Sequence, residues 1–197
     1  MFAISKEKTY PDNPAASIQD LIQLLKLETN EEYNQEIDYL NSVLFGASEY
    51  AVNYLGRSLI TQIWIRQYTI EMPYTGLAVE TKRLPVFYLT FPPVEKINLV
   101  VIRRGDEDIT TTDYRSDLVS EPAVIELKRG LVNGDKVYIE YEAGYGDTHY
   151  SVPESIRRGI LQHAAYLYNH RGDCDAEEAA VKSGAKDIYK SWRISPI

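Results

Sequence analysis

Few residues of this 197-residue chain have the types and spacing that catalysis or metal binding requires. His163 and His170 lie seven positions apart. That is about 10.5 Å along one predicted helix, too far for both rings to bind one metal ion. His163 also falls within an apolar stripe, so we expect a histidine of the core or of an interface. Cys174 has no neighbouring motif that favours a thiolate, and we interpret it as an ordinary thiol.

Two further patterns lack the spacing of ligand sites. Asp106, Glu107 and Asp108 follow one another in a predicted turn and do not alternate as calcium-loop ligands do. Gly144-Tyr145-Gly146 has neither the Lys-Ser/Thr of a phosphate loop nor the third glycine of a dinucleotide motif. The sequence therefore predicts no catalytic residue, no metal site and no cofactor.

Composition restricts the class of protein. The formal charge of −8 argues against a surface that binds nucleic acid tightly. It is compatible with an acidic channel lining that repels the phosphates of DNA as the duplex passes. A single cysteine excludes an internal disulfide framework and favours a reducing compartment. No apolar run approaches the roughly 20 residues of a membrane span. We expect a cytoplasmic protein without a membrane partner, large enough to bury its own core.

Two helices are predicted near the N-terminus. Ser17 can cap the first, with Asp20 as a weak capping-box partner, and Thr29-Asn30 offers the next N-cap. The second helix ends near Leu55 with Gly56 as its C′ residue. Its apolar stripe has helical spacing and consists of Tyr33, Ile37, Leu40, Leu44, Ala47, Ala51 and Tyr54. Such a stripe packs within its own domain or additionally lines a contact between subunits.

The middle of the chain has the alternation and turn residues of β-structure. Turns are expected at 73–76, at 104–108 and, as a hairpin-type turn between the last two strands, at 133–135. The predicted strands cover 61–70, 87–91, 96–103, 114–116, 123–127 and 136–142. Short strands at this spacing favour an antiparallel sheet or a small sandwich.

Helical periodicity returns after Ser151, which is predicted to form a capping box with Glu154. A last single helix is expected over about 175–192, with Gly184 inside it. Its predicted apolar face comprises Val181, Ala185, Ile188 and Trp192. Its cations form a basic ridge of Lys182, Lys186, Lys190 and Arg193. This ridge either complements the helix dipole or docks against an acidic surface.

These elements predict an α+β protein, mainly a helical frame of about four helices with a β-rich insertion. The expected parts are an N-terminal helical part (1–59), an inserted β-rich module (60–147) and C-terminal helices that complete the frame (148–197). This arrangement favours a part that assembles with copies of itself rather than an enzyme, and the 16 tyrosines support an assembly role.

Several segments together resemble the head–tail connector proteins (adaptor or head-completion proteins) of long-tailed bacteriophages and prophages. Tyr54-Leu55-Gly56-Arg57-Ser58-Leu59 followed by Gln62 and Trp64 resembles the family's helix-to-strand junction. Phe91-Pro92-Pro93-Val94 through Ile97, and Asp113-Tyr114-Arg115, resemble its steps into the inserted sheet. Ala143-Gly144-Tyr145-Gly146-Asp147 followed by Val152-Pro153-Glu154-Ser155-Ile156-Arg157 resembles the return to helix. The resemblance covers roughly 17–172, with extra residues around Thr75 to Tyr88 and no counterpart for the last helix.

The resemblance implies a structural, non-enzymatic protein of the virion neck, assembled in the cytoplasm of the bacterial host. It implies a homo-oligomeric ring, usually of twelve copies, which joins the portal protein to a neck or tail-completion protein. Double-stranded DNA would pass through the channel without sequence-specific binding. The long helix and the Ile156 helix would form the ring body, the sheet would face outward or toward the tail, and the C-terminal helix would reach the portal.

Candidate interface residues follow from the stripes, the ridge and this resemblance. They are Tyr33, Ile37, Leu40, Leu44, Arg57, His163, Lys182, Lys186, Ile188, Lys190, Trp192 and Arg193.

Two other function classes remain open on the sequence alone. In the first, the β-rich part is a carbohydrate- or peptide-binding module of a phage or bacterial surface protein. That requires an exposed aromatic platform, which Tyr138, Tyr141 and Tyr145 supply only if they share a face. The other class is an enzyme with paired carboxylates, to which no spacing points.

Overall fold

The computed structural model describes residues 2–27, 31–71 and 84–194. The predicted turn at 73–76, the predicted N-cap at Thr29-Asn30 and the tail after Ile194 lie outside these residues. The side chains at 31–35 are also outside the described part, including that of Tyr33.

The predicted α+β class is confirmed. The described helices are α1 (Ile18–Leu25), α2 (Glu31–Leu55), α3 (Glu154–Asn169), α4 (Ala176–Lys182) and α5 (Ala185–Lys190), with a 3-10 turn at His149–Ser151. The described strands are β1 (Phe2–Glu7), β2 (Gln62–Thr69), β3 (Val86–Leu89), β4 (Val94–Arg104), β5 (Glu107–Thr110), β6 (Tyr114–Asp117), β7 (Ala123–Leu127) and β8 (Lys136–Ala143).

The chain divides into two compact units. A sheet unit consists of Met1–Tyr10 and Gln62–Gly144, and a helical unit consists of Pro11–Thr61 and Tyr145–Ile197. The N-terminal residues correct one expectation, because Phe2–Glu7 form β1 and pair with β2 rather than belonging to the helical part. Whether 60–147 folds as an independent module stays a prediction.

The sheet unit contains two antiparallel sheets around one core. The first has the strand order β1-β2-β8-β4-β5, and the second has the order β3-β7-β6. Alternation along β2 places Gln62, Trp64, Arg66 and Tyr68 on the buried side. The Tyr68 ring lies 4.7 Å from the ring of Phe87 on β3, and both side chains belong to the core that the two sheets share.

Two turns of the sheet unit differ from expectation. Gly134 has φ +88°, as a tight turn requires, but the strands on either side belong to different sheets, so the predicted hairpin at 133–135 is wrong. The acidic run 106–108 is only partly a turn, because Glu107 and Asp108 lie in β5.

The Arg104 guanidinium donates two hydrogen bonds to the Asp135 carboxylate, at 3.0 and 2.7 Å. This guanidinium holds the pKa of the buried Asp135 carboxyl below its usual value.

The N-terminal helices match the sequence pattern closely. The Ser17 hydroxyl accepts hydrogen bonds from the backbone amides of Gln19 and Asp20, which confirms the cap of α1. Helix α2 ends at Leu55, and Gly56 follows with φ +66°, the left-handed conformation that glycine adopts without strain.

The C-terminal helices correct two predictions. Ser151 lies in the 3-10 turn and α3 begins after Pro153 without a side-chain cap, so the predicted capping box is wrong. The expected single last helix is two helices, α4 and α5. Gly184 takes φ +78° between them, because a residue without Cβ tolerates a conformation that ends a helix. The predicted apolar face is consequently split: Val181 is 55% exposed whereas Ala185 is buried.

Helix α3 packs against α5 at Gly159. A Cβ placed on Gly159 would lie 2.7 Å from Cε1 of Tyr189, a side chain that is fully buried. The absence of a side chain at this position therefore allows the aromatic ring to pack against the helix backbone.

We expect Gly159→Ala to destabilise the protein by about 1–3 kcal/mol, because the added methyl overpacks the Tyr189 ring. Gly46→Ala is the matched control, since Gly46 is an exposed position of α2 where an added methyl would have no atom within 4 Å. The control should gain about 1 kcal/mol from helix propensity. Urea unfolding of both variants measures the difference, and equal gains in stability would contradict the proposed close packing.

Candidate assembly surface of the helical unit

The predicted interface residues separate into buried and accessible groups. Leu40, Leu44 and His163 are fully buried in the core of the helical unit, so their side chains pack inside this fold. Ile37 is partly exposed, and the side chain of Tyr33 lies outside the described residues. The long stripe on α2 is therefore mainly a core stripe, and the interface prediction depends on the accessible residues.

His163 is surrounded by aromatic rings rather than by polar partners. The Tyr50 ring meets the imidazole edge-on at a centroid distance of 5.0 Å, and the Tyr189 ring lies at 6.4 Å. Neither imidazole nitrogen forms a hydrogen bond of normal geometry within the described residues. Burial lowers the pKa of His163 to about 4, against weaker opposing effects of the Ala176 backbone and the Glu177 carboxylate.

The predicted basic ridge is paired with acids of the same two helices. Lys182 lies 2.6 Å from Glu178, and Lys190 lies 2.6 Å from Asp187. Lys186 forms an ion pair with Glu177, which also accepts a hydrogen bond from the Tyr50 hydroxyl. Lys186, followed by Tyr50, holds the pKa of Glu177 below its usual value. The surface of α4 and α5 is therefore a mixture of charges rather than a basic ridge.

The exposed Arg193 lies over an aromatic ring, which it shares with Lys186, whose Nζ is 5.5 Å from the ring centroid of Tyr54. Its Cζ lies 4.9 Å from the ring centroid of Tyr54, and the Tyr54 ring stacks on Tyr50 at 5.9 Å. A cation over an aromatic face gains modest energy at an exposed site. Arg193 and Tyr54 thus form an accessible aromatic and cationic feature at the end of α2.

The segment after α5 is attached to its own helical unit. Arg57 Nε donates to the carbonyl of Trp192 at 2.8 Å, and Trp192 Nε1 donates to Ser155 Oγ at 2.9 Å. The Ile194 amide donates to the Leu55 carbonyl at 3.0 Å. Arg57 and Trp192, predicted as interface residues, therefore have internal partners that position the C-terminal segment.

A second polar cluster was missed by sequence reasoning. Arg171 lies 3.0 Å from Glu36, and its guanidinium sits 4.2 Å from the ring of Tyr39 and 4.7 Å from that of Tyr168. The Tyr168 hydroxyl donates to Glu36 and is the main cause of the lowered pKa of this carboxyl. No local pattern could have indicated the cluster, because Glu36 and Tyr39 come from α2 whereas Tyr168 and Arg171 come from the end of α3 and the turn after it.

The aromatic platform required of a binding module is not formed by the three candidate tyrosines. Tyr141 is fully buried, and strand alternation places Tyr138 on the opposite face of β8. Tyr145 packs against the helical core.

The described residues also lack the features of several other site types. They contain no group of three or more His, Cys, Asp or Glu side chains arranged to hold a metal ion. None of their helices has both the length and the apolar character of a membrane span.

Comparisons with solved structures identify similar folds. A chain from the neck of an empty gene transfer agent (GTA) particle, computed with C6 symmetry, matches with a TM-score of 0.76 and 19% identity. A chain of the native GTA virion matches with a TM-score of 0.70 and 18% identity. A chain from the native GTA neck, computed with C12 symmetry, gives 0.68 and 17%. Each match covers 98% of this chain and 97% of the other. No protein-family model and no curated protein sequence matches the chain.

The buried His163 predicts a specific pH dependence of stability. Its pKa of about 4 in the folded protein is below the ordinary value of 6.5, so the unfolded chain binds the extra proton between these pH values. Stability is therefore expected to fall as the pH drops from about 6.5 to about 4, by up to about 3 kcal/mol from this residue. Urea unfolding across this range should show the loss in the wild type and a smaller loss in His163→Phe. Parallel curves would contradict the assignment.

Proposed function

We propose that this protein is a structural component of the neck of a phage-like particle, forming a ring beneath the portal and joining the capsid to the tail. The observation that carries this proposal is the fold similarity to chains of GTA necks over 98% of this chain and 97% of the other, with TM-scores up to 0.76. The order of the junction motifs supports it independently, because these motifs resemble those of head–tail connector proteins. A structural, non-enzymatic role follows from the same proposal.

The distribution of charge suits a channel for DNA. The helical unit contains 15 Asp and Glu against 9 Lys and Arg, a net charge of −6 out of the total of −8. An acidic wall repels phosphate and lets the duplex pass without binding. We therefore assign the ring body to the helical unit, and the sheet unit to the outside or the tail side.

Ring closure requires two different, complementary faces on each copy. We assign one of them to the accessible surface of α4, α5 and the following residues, where mixed charges surround apolar side chains. The exposed or partly exposed candidates on it are Lys182, Lys186, Ile188, Lys190, Trp192 and Arg193. Arg57 holds this segment through its hydrogen bond to the Trp192 carbonyl. Ile37 belongs to the remaining exposed part of α2. The portal protein and a neck or tail-completion protein are the proposed partners.

Light scattering over a concentration series tests the proposal, with and without the portal protein of the same particle. The chain has a mass of 22.5 kDa, so a ring of twelve copies has a mass of about 270 kDa. We expect a closed ring, formed alone or on the portal. A strict monomer that does not bind the portal would contradict the neck assignment.

A point substitution tests the assigned surface better than truncation does. Removing residues after Asp173 would delete Ala179, Ala180, Ala185 and Tyr189, which are buried in the core, and would disturb the fold itself. Val181→Asp instead places a charge on an exposed aliphatic position of α4. We expect it to weaken ring formation or portal binding by tenfold or more, about 1.4 kcal/mol, because a charge would be desolvated in the contact.

Val119→Asp is the matched control. Val119 is 93% exposed in the loop between β6 and β7 of the sheet unit, so the same substitution there should leave ring mass and portal affinity unchanged. Circular dichroism should show the wild-type fold for both variants. Equal effects of both substitutions would argue against the surface of α4 and α5 as the contact.

A further inference from the structure

Arg66 combines deep burial with unused hydrogen-bonding capacity. It lies on β2, on the side of the strand that also carries Trp64 and Tyr68, and it is only 8% exposed. Its Nε and Nη1 atoms have no hydrogen-bond partner among the described residues. Its Cζ lies 5.3 Å from the centroid of the Tyr68 ring, and none of the ion pairs found among the described residues includes it.

A buried guanidinium in this state is unusual. Arginine keeps its charge in proteins, and buried charges are normally paired. The contact with Tyr68 compensates only in part, since a ring face offers no acceptor atom for the N–H groups. Arg104 in the same unit shows the usual solution, because its guanidinium bonds both oxygens of Asp135.

The residues opposite Arg66 in the strand register are uncharged: Ser5 on β1 and the buried, apolar Ile139 on β8. Ser5, which is opposite Arg66 in the β1–β2 register, shares a 2.9 Å hydrogen bond with Thr90. The Tyr141 hydroxyl donates to the Thr90 carbonyl at 2.8 Å, and the Tyr68 hydroxyl donates to the Tyr88 carbonyl. Burial raises the pKa of both phenols to about 12, so neither becomes an anion at neutral pH.

The position of Arg66 is close to the edge of its sheet. β1 is the first strand in the order β1-β2-β8-β4-β5, so a single strand separates Arg66 from that edge. β3 is likewise the first strand of the order β3-β7-β6, and Thr90 directly follows it. The hydroxyl groups of Ser5 and Thr90 thus lie where two edge strands approach each other.

We propose that Arg66 is the receptor of an oxyanion site in the sheet unit, which binds one carboxylate or phosphate group. The guanidinium supplies the charge and the N–H donors that such groups accept, and its planar geometry suits oxyanions better than an ammonium does. Ser5 and Thr90 provide polar surroundings at the edge. This site is independent of the neck function, and either assignment can fail without the other.

Nuclear magnetic resonance of the full-length, 15N-labelled protein tests the site directly. The Nε–H signal of Arg66 is assigned by its loss in Arg66→Lys. Sodium acetate and inorganic phosphate are then titrated at constant ionic strength set with sodium chloride. We expect a saturable shift of this signal, and a rise in melting temperature of about 4 °C at ten times the dissociation constant. A response to acetate alone would identify a carboxylate site, and a response to phosphate would extend it to phosphate groups.

Variants separate this site from general effects of salt. Arg66→Met should abolish the thermal response, and Arg66→Lys should weaken binding by tenfold or more because the planar donor set is lost. Arg103→Met is the matched control, since Arg103 lies on β4 of the same sheet, is exposed and already pairs with Asp108. It should respond like the wild type. An Arg66 signal unaffected by both anions would overturn the proposal, even if Arg66→Met did not fold.

Discussion

The structure depends on bringing the two ends of the inserted sheet together. In the helical unit, the Thr61 amide donates to the Gly146 carbonyl at 3.0 Å, and the Tyr145 amide donates to the Leu59 carbonyl at 3.2 Å. In the sheet unit, β2 and β8 then pair from Gln62 opposite Ala143 onward. A segment inserted into a packed domain leaves that domain intact only if the two ends of the segment lie next to each other. A Cβ on Gly146 would lie 2.5 Å from Ser151 Oγ, so the segment that follows β8 requires a glycine at this position.

The two junction segments also contact each other through side chains within the helical unit. Arg57 lies in the segment that leads into β2, and Tyr145 lies in the segment that follows β8. Arg57 Nη1 donates to the Tyr145 hydroxyl at 3.4 Å. Arg57 also donates a hydrogen bond to the Trp192 carbonyl, which links the segment before β2 to the C-terminal segment. Arg57 and Tyr145 of these segments therefore have structural partners within the helical unit.

Patterns that depend on neighbouring residues were predictable. The alternation from Gln62 to Thr69 specifies a strand with one buried face, and the position of Gly56 specifies the end of α2, because each depends on local backbone geometry. The end of α4 before Gly184 was not predicted, since a glycine inside a helical pattern is compatible either with a helix that continues at a cost in stability or with one that ends there. The packing of Tyr189 against Gly159 favours a separate α5, and the sequence does not reveal this contact.

The sequence by itself determined the α+β class and the succession of N-terminal helices, a β-rich segment and C-terminal helices, but not the N-terminal strand β1. These follow from periodicity and residue type, which act over a few positions along the chain. Only the tertiary structure decided that Leu44 and His163 belong to the core, that the lysines of α4 and α5 are paired, and that Nε and Nη1 of the buried Arg66 have no hydrogen-bond partner among the described residues. Burial and ion pairing depend on residues distant in the chain, and no local spacing encodes which of them will meet.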